Sequence, residues 1–272
     1  MKFAVTALAI AAGSTVSAQT LVAVAANPAD NNFASEVISV DLPYDGNAML
    51  GPAFGTATWA PGDMFGRTSR FAAADTEFGI PFAMADDSVS FTGDFQGIIT
   101  EADTGDFFGN VDTVNNLNVS GGTAEYTWGD TGAGTLVSSV AIDMAAMGDF
   151  EAANDLHRFE ISTDGGSTFN LLGDSVINQD IANSYTLANG NVADLDDPMF
   201  FNGQLLTNNF TTVTFDGLNL AVTGDIVLRY LGQQDGGAEA YAWRNASVEV
   251  IPAPASAALL GLGGLAAARR RR

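Results

Sequence analysis

Short runs rich in Val, Ile, Thr and aromatic residues recur along the chain, each cut off by Gly, Asp or Asn before it reaches helical length. This rhythm restricts the chain to β structure. The clearest runs are Val137–Met144, His157–Thr163, Thr211–Phe215, Asp225–Leu231 and Ala242–Val250. In the last, Trp243, Ala246, Val248 and Val250 lie mainly on one face, with a phase shift near Asn245 that a single bulge produces. Asp164-Gly165-Gly166-Ser167 predicts a hairpin, because glycine accepts the positive φ such turns require. Asp235-Gly236-Gly237 predicts a second one. Ala145–Leu156 reads as one turn or a short helix, with Gly148 and Asn154 favouring a loop, and Asn178–Tyr185 is ambiguous. No Pro/Ser linker interrupts residues 19–250, so the expected architecture is one all-β antiparallel sandwich of jelly-roll type with minor helix.

The chain has 272 residues and no Cys, so burial alone must hold this core. Its formal charge of -22 comes from 32 Asp and Glu against 10 Lys and Arg. Lys2 stands near the start and Arg269, Arg270, Arg271 and Arg272 end the chain, leaving only Arg67, Arg70, Arg158, Arg229 and Arg244 between. Without the two ends, 5 positive charges face 32 negative ones, a net of -27. A surface of that sign repels phosphate backbones, which excludes nucleic acid as a partner, and it attracts divalent cations.

Both ends read as addresses. In residues 1–18, Lys2 supplies a positive n-region, Phe3 to Ala12 an apolar stretch, and Val16-Ser17-Ala18 a cleavage site before Gln19; this predicts a helical secretory signal. At the other end, residues 251–272 contain Ile251-Pro252-Ala253-Pro254, an Ala, Leu and Gly stretch from Ala255 to Ala268, and the four arginines. At about 14 residues the stretch is short for a permanent span, and the arginines hold the terminus on the cytoplasmic side. A hydrophobic helix that pauses the chain in the inner membrane during export fits this pattern.

This three-part tail resembles the PEP-CTERM sorting signal of Gram-negative bacteria, with Pro252, Ala253 and Pro254 as the motif and Arg269–Arg272 as the basic cluster. The resemblance covers about 22 residues and departs from the family at Ala253, where Glu is usual. It implies recognition by an exosortase-type processing enzyme and delivery to the cell surface or extracellular polysaccharide matrix.

Catalytic chemistry is poorly represented. There is no Cys, no GxSxG elbow and one histidine, His157, whose place in the run HRFEIST reads as a surface or edge position. One His and no Cys cannot form the usual zinc ligand sets. A glycoside hydrolase needs two carboxylates, and nothing marks such a pair. Calcium suits abundant oxygen ligands better. The dense groups are Asp149-Phe150-Glu151 with Asn154 and Asp155, and Asp235 with Glu239 and Asn245. Residues Val137–Val250 resemble bacterial jelly-roll ectodomains of the carbohydrate-binding and MAM-like kind, with Arg244 where Asp is common. That resemblance implies a shared structural calcium at Glu151, Asp155 and Glu239. Asp194-Leu195-Asp196-Asp197-Pro198 reads as a solvated turn, and Asp103, Asp106 and Asp112 as acids that keep the Phe107-Phe108 loop soluble.

Aromatic platforms for polysaccharide are available at Trp59, Tyr126, Trp128, Tyr241 and Trp243; Tyr126 and Trp128 share one strand face and are the candidate glycan contacts. Core packing is the competing fate of each. The expectation is thus an exported structural or adhesive protein rather than an enzyme, with a carbohydrate-binding module and a carboxylate glycosidase as alternatives. Mass spectrometry of surface material should find a chain beginning at Gln19 and lacking Arg269–Arg272; recovery of the arginines there would count against tail processing.

Overall fold

The computed structural model describes residues 19–22, 35–40, 64–69, 106–114, 120–129, 134–187, 190–236 and 239–252. All their regular structure is strand: β1 (Gln19–Val22), β2 (Ser35–Val40), β3 (Met64–Ser69), β4 (Asp106–Val111), β5 (Gly122–Gly129), β6 (Thr135–Met147), β7 (Leu156–Ser162), β8 (Asn170–Ile177), β9 (Ala182–Thr186), β10 (Val192–Asp196), β11 (Met199–Phe201), β12 (Gln204–Leu205), β13 (Thr211–Ala221), β14 (Ile226–Gln233) and β15 (Ala240–Pro252). The helical alternative for Ala145–Leu156 is corrected: β6 runs on to Met147, and a turn follows. The signal segment, the hydrophobic stretch, Trp59, Asp103 and the four terminal arginines lie outside the described residues.

One antiparallel sheet has the order β13-β6-β15-β4-β3, with β1 also on β15; the other has the order β12-β11-β8-β7-β14-β5-β2. The chain alternates between them along β4, β5, β6 and β7 and again along β13, β14 and β15, as in a jelly roll. β9 and β10 form a separate ribbon. Its Tyr185, Leu187 and Ala193 pack with Met147, covering the end of β6.

Period-two alternation explains how the sheets meet. Ala124, Tyr126 and Trp128 of β5, Phe159 and Ile161 of β7, and Leu228 and Tyr230 of β14 face Val140 and Ile142 of β6 and Trp243, Ala246 and Val248 of β15 in one core. Trp243 joins the sheets, with ring centroids 5.2 Å from Tyr126, 5.3 Å from Phe159, 5.6 Å from Phe108 and 5.8 Å from Tyr230. The expected bulge occurs between Arg244 and Ser247, where Asn245 takes a φ of 49°. A second register shift separates Glu249 from Val250, and pairing continues to Pro252 opposite Thr135, two residues past the expected end of the ectodomain at Val250.

Asp164-Gly165-Gly166-Ser167 does connect the paired strands β7 and β8, with Gly165 and Gly166 at φ 76° and 86°. The expected Asp235-Gly236-Gly237 hairpin is not formed: β14 and β15 belong to different sheets, so the segment between them is a crossover, of which Gly237 lies outside the described residues.

His157 is also corrected. β7 lies between β8 and β14, and its positions 157, 159 and 161 all face inward. The imidazole is fully buried, stacked 4.1 Å from Tyr241, with Nδ1 2.7 Å from the Tyr230 hydroxyl. Asn110 Nδ2, a donor, is 3.5 Å from the same nitrogen, so Nδ1 accepts and Tyr230 donates. Burial pushes the imidazole down to about 3. Below its ordinary value near 6.5 the unfolded chain therefore binds a proton that the fold excludes, and stability falls with pH. Between pH 6.5 and 4.5 this residue costs roughly 2–3 kcal/mol. Urea unfolding should show the loss in the parent and a correspondingly shallower pH slope in His157→Phe; equal slopes would contradict the assignment.

Candidate metal centre

Two strand pairings in different sheets bring the acidic loops together. Ala240 pairs with Met147 in the β15–β6 ladder, and Gln233 pairs with Leu156 in the β14–β7 ladder. The β6–β7 crossover (148–155) and the β14–β15 crossover (234–239) therefore leave the same end of the sandwich side by side. Phe150, fully buried, anchors the first crossover between Asp149 and Glu151, as its spacing suggested. At Gly148, an added Cβ would stand 2.8 Å from the Glu239 Cα, so a residue without a side chain is needed for this approach.

Carboxylate oxygens of Glu151, Asp155 and Asp235 all lie within 4.8 Å of one another. Asp155 is buried and braces both loops: its Oδ2 accepts from the Glu151 amide at 2.6 Å and its Oδ1 from the Asp235 amide at 3.3 Å. Glu239 is only 2% exposed, and its carboxyl group is in hydrogen-bond reach of both Asp155 and Glu151. Its Oε2 is buried with no donor to satisfy it. Gln234 Nε2 donates to the Glu239 carbonyl, fixing the backbone beneath this side chain. Of the expected ligands, Glu151, Asp155 and Glu239 are thus brought together, and Asp235 joins them. Asn154 supports the group by hydrogen bonding to Asp235. Asn245 does not belong; it donates to Asp143 Oδ2 at 2.8 Å. Asp149 instead contributes to a neighbouring recess with Asp180, Asp196 and Asp197.

The electrostatics call for a proton or a counter-charge. Burial, and then the charge of Asp155, drives Glu239 far above the usual carboxylate range. Burial raises Asp155 despite the amides that favour its ionised form, and Asp235 is raised by burial and by Glu151. The three arginines with described side chains are engaged elsewhere: Arg158 with Asp174, Arg229 with Glu160, and Arg244 over Phe210. A hard divalent cation fits this donor set of two buried and two exposed carboxylates, because it supplies the charge that the buried, donorless Glu239 Oε2 would otherwise lack when ionised.

The candidate glycan contacts are corrected. Tyr126 is fully buried and Trp128 is 4% exposed; they share a face as expected, and it points into the sandwich. Tyr241 and Trp243 are likewise fully buried. Phe107 and Phe108 are both buried, but on opposite faces of β4 rather than in a loop: Phe108 enters the core between the sheets, and Phe107 packs with Phe210 in a second cluster.

No protein-family model matches the sequence, and no curated protein does. Three solved structures are similar at the level of the backbone. The K1 cleaved adhesin domain of Lys-gingipain from Porphyromonas gingivalis W83 is 11% identical, covering 85% of this chain and 97% of that one, at a TM-score of 0.40. A Stig cyclase, Fisc, from Fischerella sp. TAU is 10% identical, with 81% and 86% covered at 0.37. TmCBM61, solved with β-1,4-galactotriose, is 7% identical, with 79% and 88% covered at 0.32. At these values no residue's role transfers to this chain.

Like-charge crowding has a measurable sign. In a calcium chelator at neutral pH, Glu239→Gln should melt several degrees above the parent, because the amide can donate to Asp155 without the proton that burial forces the glutamate to take up on folding. A lower melting temperature would show that the glutamate side chain stabilises the metal-free fold.

Proposed function

We propose that the chain is an exported, non-catalytic β-sandwich module of the cell surface or extracellular matrix, with a structural or adhesive role, stabilised by calcium at Glu151, Asp155, Asp235 and Glu239. The observation that carries the reading is the buried Glu239 carboxylate, set among other carboxylates and lacking a donor. Calcium accepts 6 to 8 hard oxygens in irregular geometry, a demand that four carboxylates meet in large part. Bound there, the ion would tie the β6–β7 crossover to the β14–β15 crossover and so fasten both sheets at one end.

Export and sorting are supported by the basic-tipped ends and the tail's PEP-CTERM resemblance, which also implies an exosortase-type partner. A hydrolytic role for the same acids is disfavoured, since Asp155 and Glu239 are 5% and 2% exposed and admit no glycosidic bond between them. Adhesion to polysaccharide fits a matrix protein, although Tyr126 and Trp128 are not its contacts.

Calorimetric titration of the chelator-treated chain should give saturable heat with calcium. At about 100 times the dissociation constant the fold should gain about 2.7 kcal/mol, seen as a higher melting temperature. Asp155→Asn and Glu239→Gln should each weaken or abolish both responses. No heat and no thermal shift in the parent would remove the reading.

A further inference from the structure

Among the described aromatic side chains, only Phe169, Phe200 and Phe210 are half-buried rather than buried. Two of them are capped: the Arg229 guanidinium stands 3.5 Å from the Phe169 ring centre and that of Arg244 4.1 Å from Phe210. Phe200 has no such cap among the described residues. It pairs with Val176 of β8 on one side and Leu205 of β12 on the other, forming an apolar row across the edge of the seven-stranded sheet. Its chain neighbours Met199 and Phe201 are buried, so alternation points this row away from the sandwich. Val176 is 60% exposed.

Beside the row lies a recess of about 560 Å³, lined by Val176, Phe200 and Gly203 together with Asn178, Gln179 and Asp180 of the β8–β9 turn. Nothing lies within 4 Å of where a Cβ on Gly203 would stand, so the β11–β12 turn leaves its mouth open. An aromatic face beside two amides and a carboxylate is the chemistry of neither an oily groove nor an ion site. Apolar C–H groups need the ring, and hydroxyl groups need both donors and acceptors.

We propose that this recess is a binding site for a neutral polysaccharide, with a sugar ring stacked on Phe200 and its hydroxyls held by Asn178, Gln179 and Asp180. Charge selects against uronic acids and phosphates: an adjoining recess shares Gln179 and Asp180 and adds Asp149, Asp196 and Asp197, with no cation in either lining. The site deepens the adhesive role proposed above by naming what is bound, and it uses none of the calcium ligands.

The test is a titration of the calcium-loaded full chain with cellotriose, xylotriose, mannotriose and β-1,4-galactotriose, followed by amide NMR shifts, with trigalacturonate as the charged control. At least one neutral trisaccharide should give saturable shifts, and trigalacturonate should give weaker ones. Phe200→Ala should weaken binding at least about tenfold, while Phe200→Tyr keeps it within about threefold. Both variants should melt with the parent, since the ring faces outward. Silence across the neutral panel, equal affinity in Phe200→Ala, or preference for trigalacturonate would each overturn the site. Calcium binding with sugar silence would remove this inference alone; sugar binding lost in Phe200→Ala without a calcium response would remove only the calcium reading.

Discussion

The antiparallel pairing of β15 with β6, and of β14 with β7 behind it, is the constraint on which the acidic centre depends. Each ladder ends beside a crossover between the sheets, and Trp243 holds those sheets in contact through rings from both. If either register slipped by one residue, Glu239 or Asp155 would leave the cluster and the inward face of its strand would turn to solvent. The core and the centre are therefore specified by the same pairings. Gly148 sits at the closest approach, where the Glu239 backbone leaves no space for a side chain.

The same excess of acid is handled in contrasting ways along the chain. Asp164 is half-buried in its hairpin and is held down at about 2 chiefly by the Thr168 and Ser162 hydroxyls that donate to it. Asp174 and Glu160 take the Arg158 and Arg229 guanidinium groups at 2.6 Å. Asp194 accepts from Ser184 on the surface ribbon. No described arginine reaches Asp155 and Glu239, and both are buried, so among the described carboxylates ionisation costs most there. Charge density alone does not mark this centre, since Asp149, Asp180, Asp196 and Asp197 also crowd one recess; the buried Glu239 Oε2 without a donor does.

Features set by local stereochemistry were legible in the sequence. The long strands, the Asn245 bulge and the Asp164 hairpin follow from period-two alternation and positive φ, which a short window contains. Features set by strand order were not. His157 reads as an edge residue until β7 is found between β8 and β14. Asp164-Gly165-Gly166 and Asp235-Gly236-Gly237 look alike, yet one closes a hairpin and the other crosses between sheets, because only β7 and β8 are partners. Tyr126 and Trp128 share a face by spacing, but spacing cannot say which side of the sheet is wet. Glu151, Asp155 and Glu239 were reached through a resemblance, and Asp235 was assigned to a separate group because nothing local joins 151 to 235.

Using its largest rings inside has a consequence for what the exterior can do. The sandwich spends Trp128, Trp243 and its described tyrosines on the core, and covers Phe169 and Phe210 with arginines. The described surface then offers few exposed rings, and its large exposed apolar side chains are Leu171, Val176, Ile181 and Val192. The adhesion proposed above would then be local, and it would favour ligands that do not meet the surface as like charges. The Val176–Phe200–Leu205 row meets both requirements because β11 is short and near a sheet edge, with Met199 and Phe201 anchoring it inward while the ring between them is turned out. Core demand and surface recognition are thus divided within three consecutive residues by the alternation of a single strand.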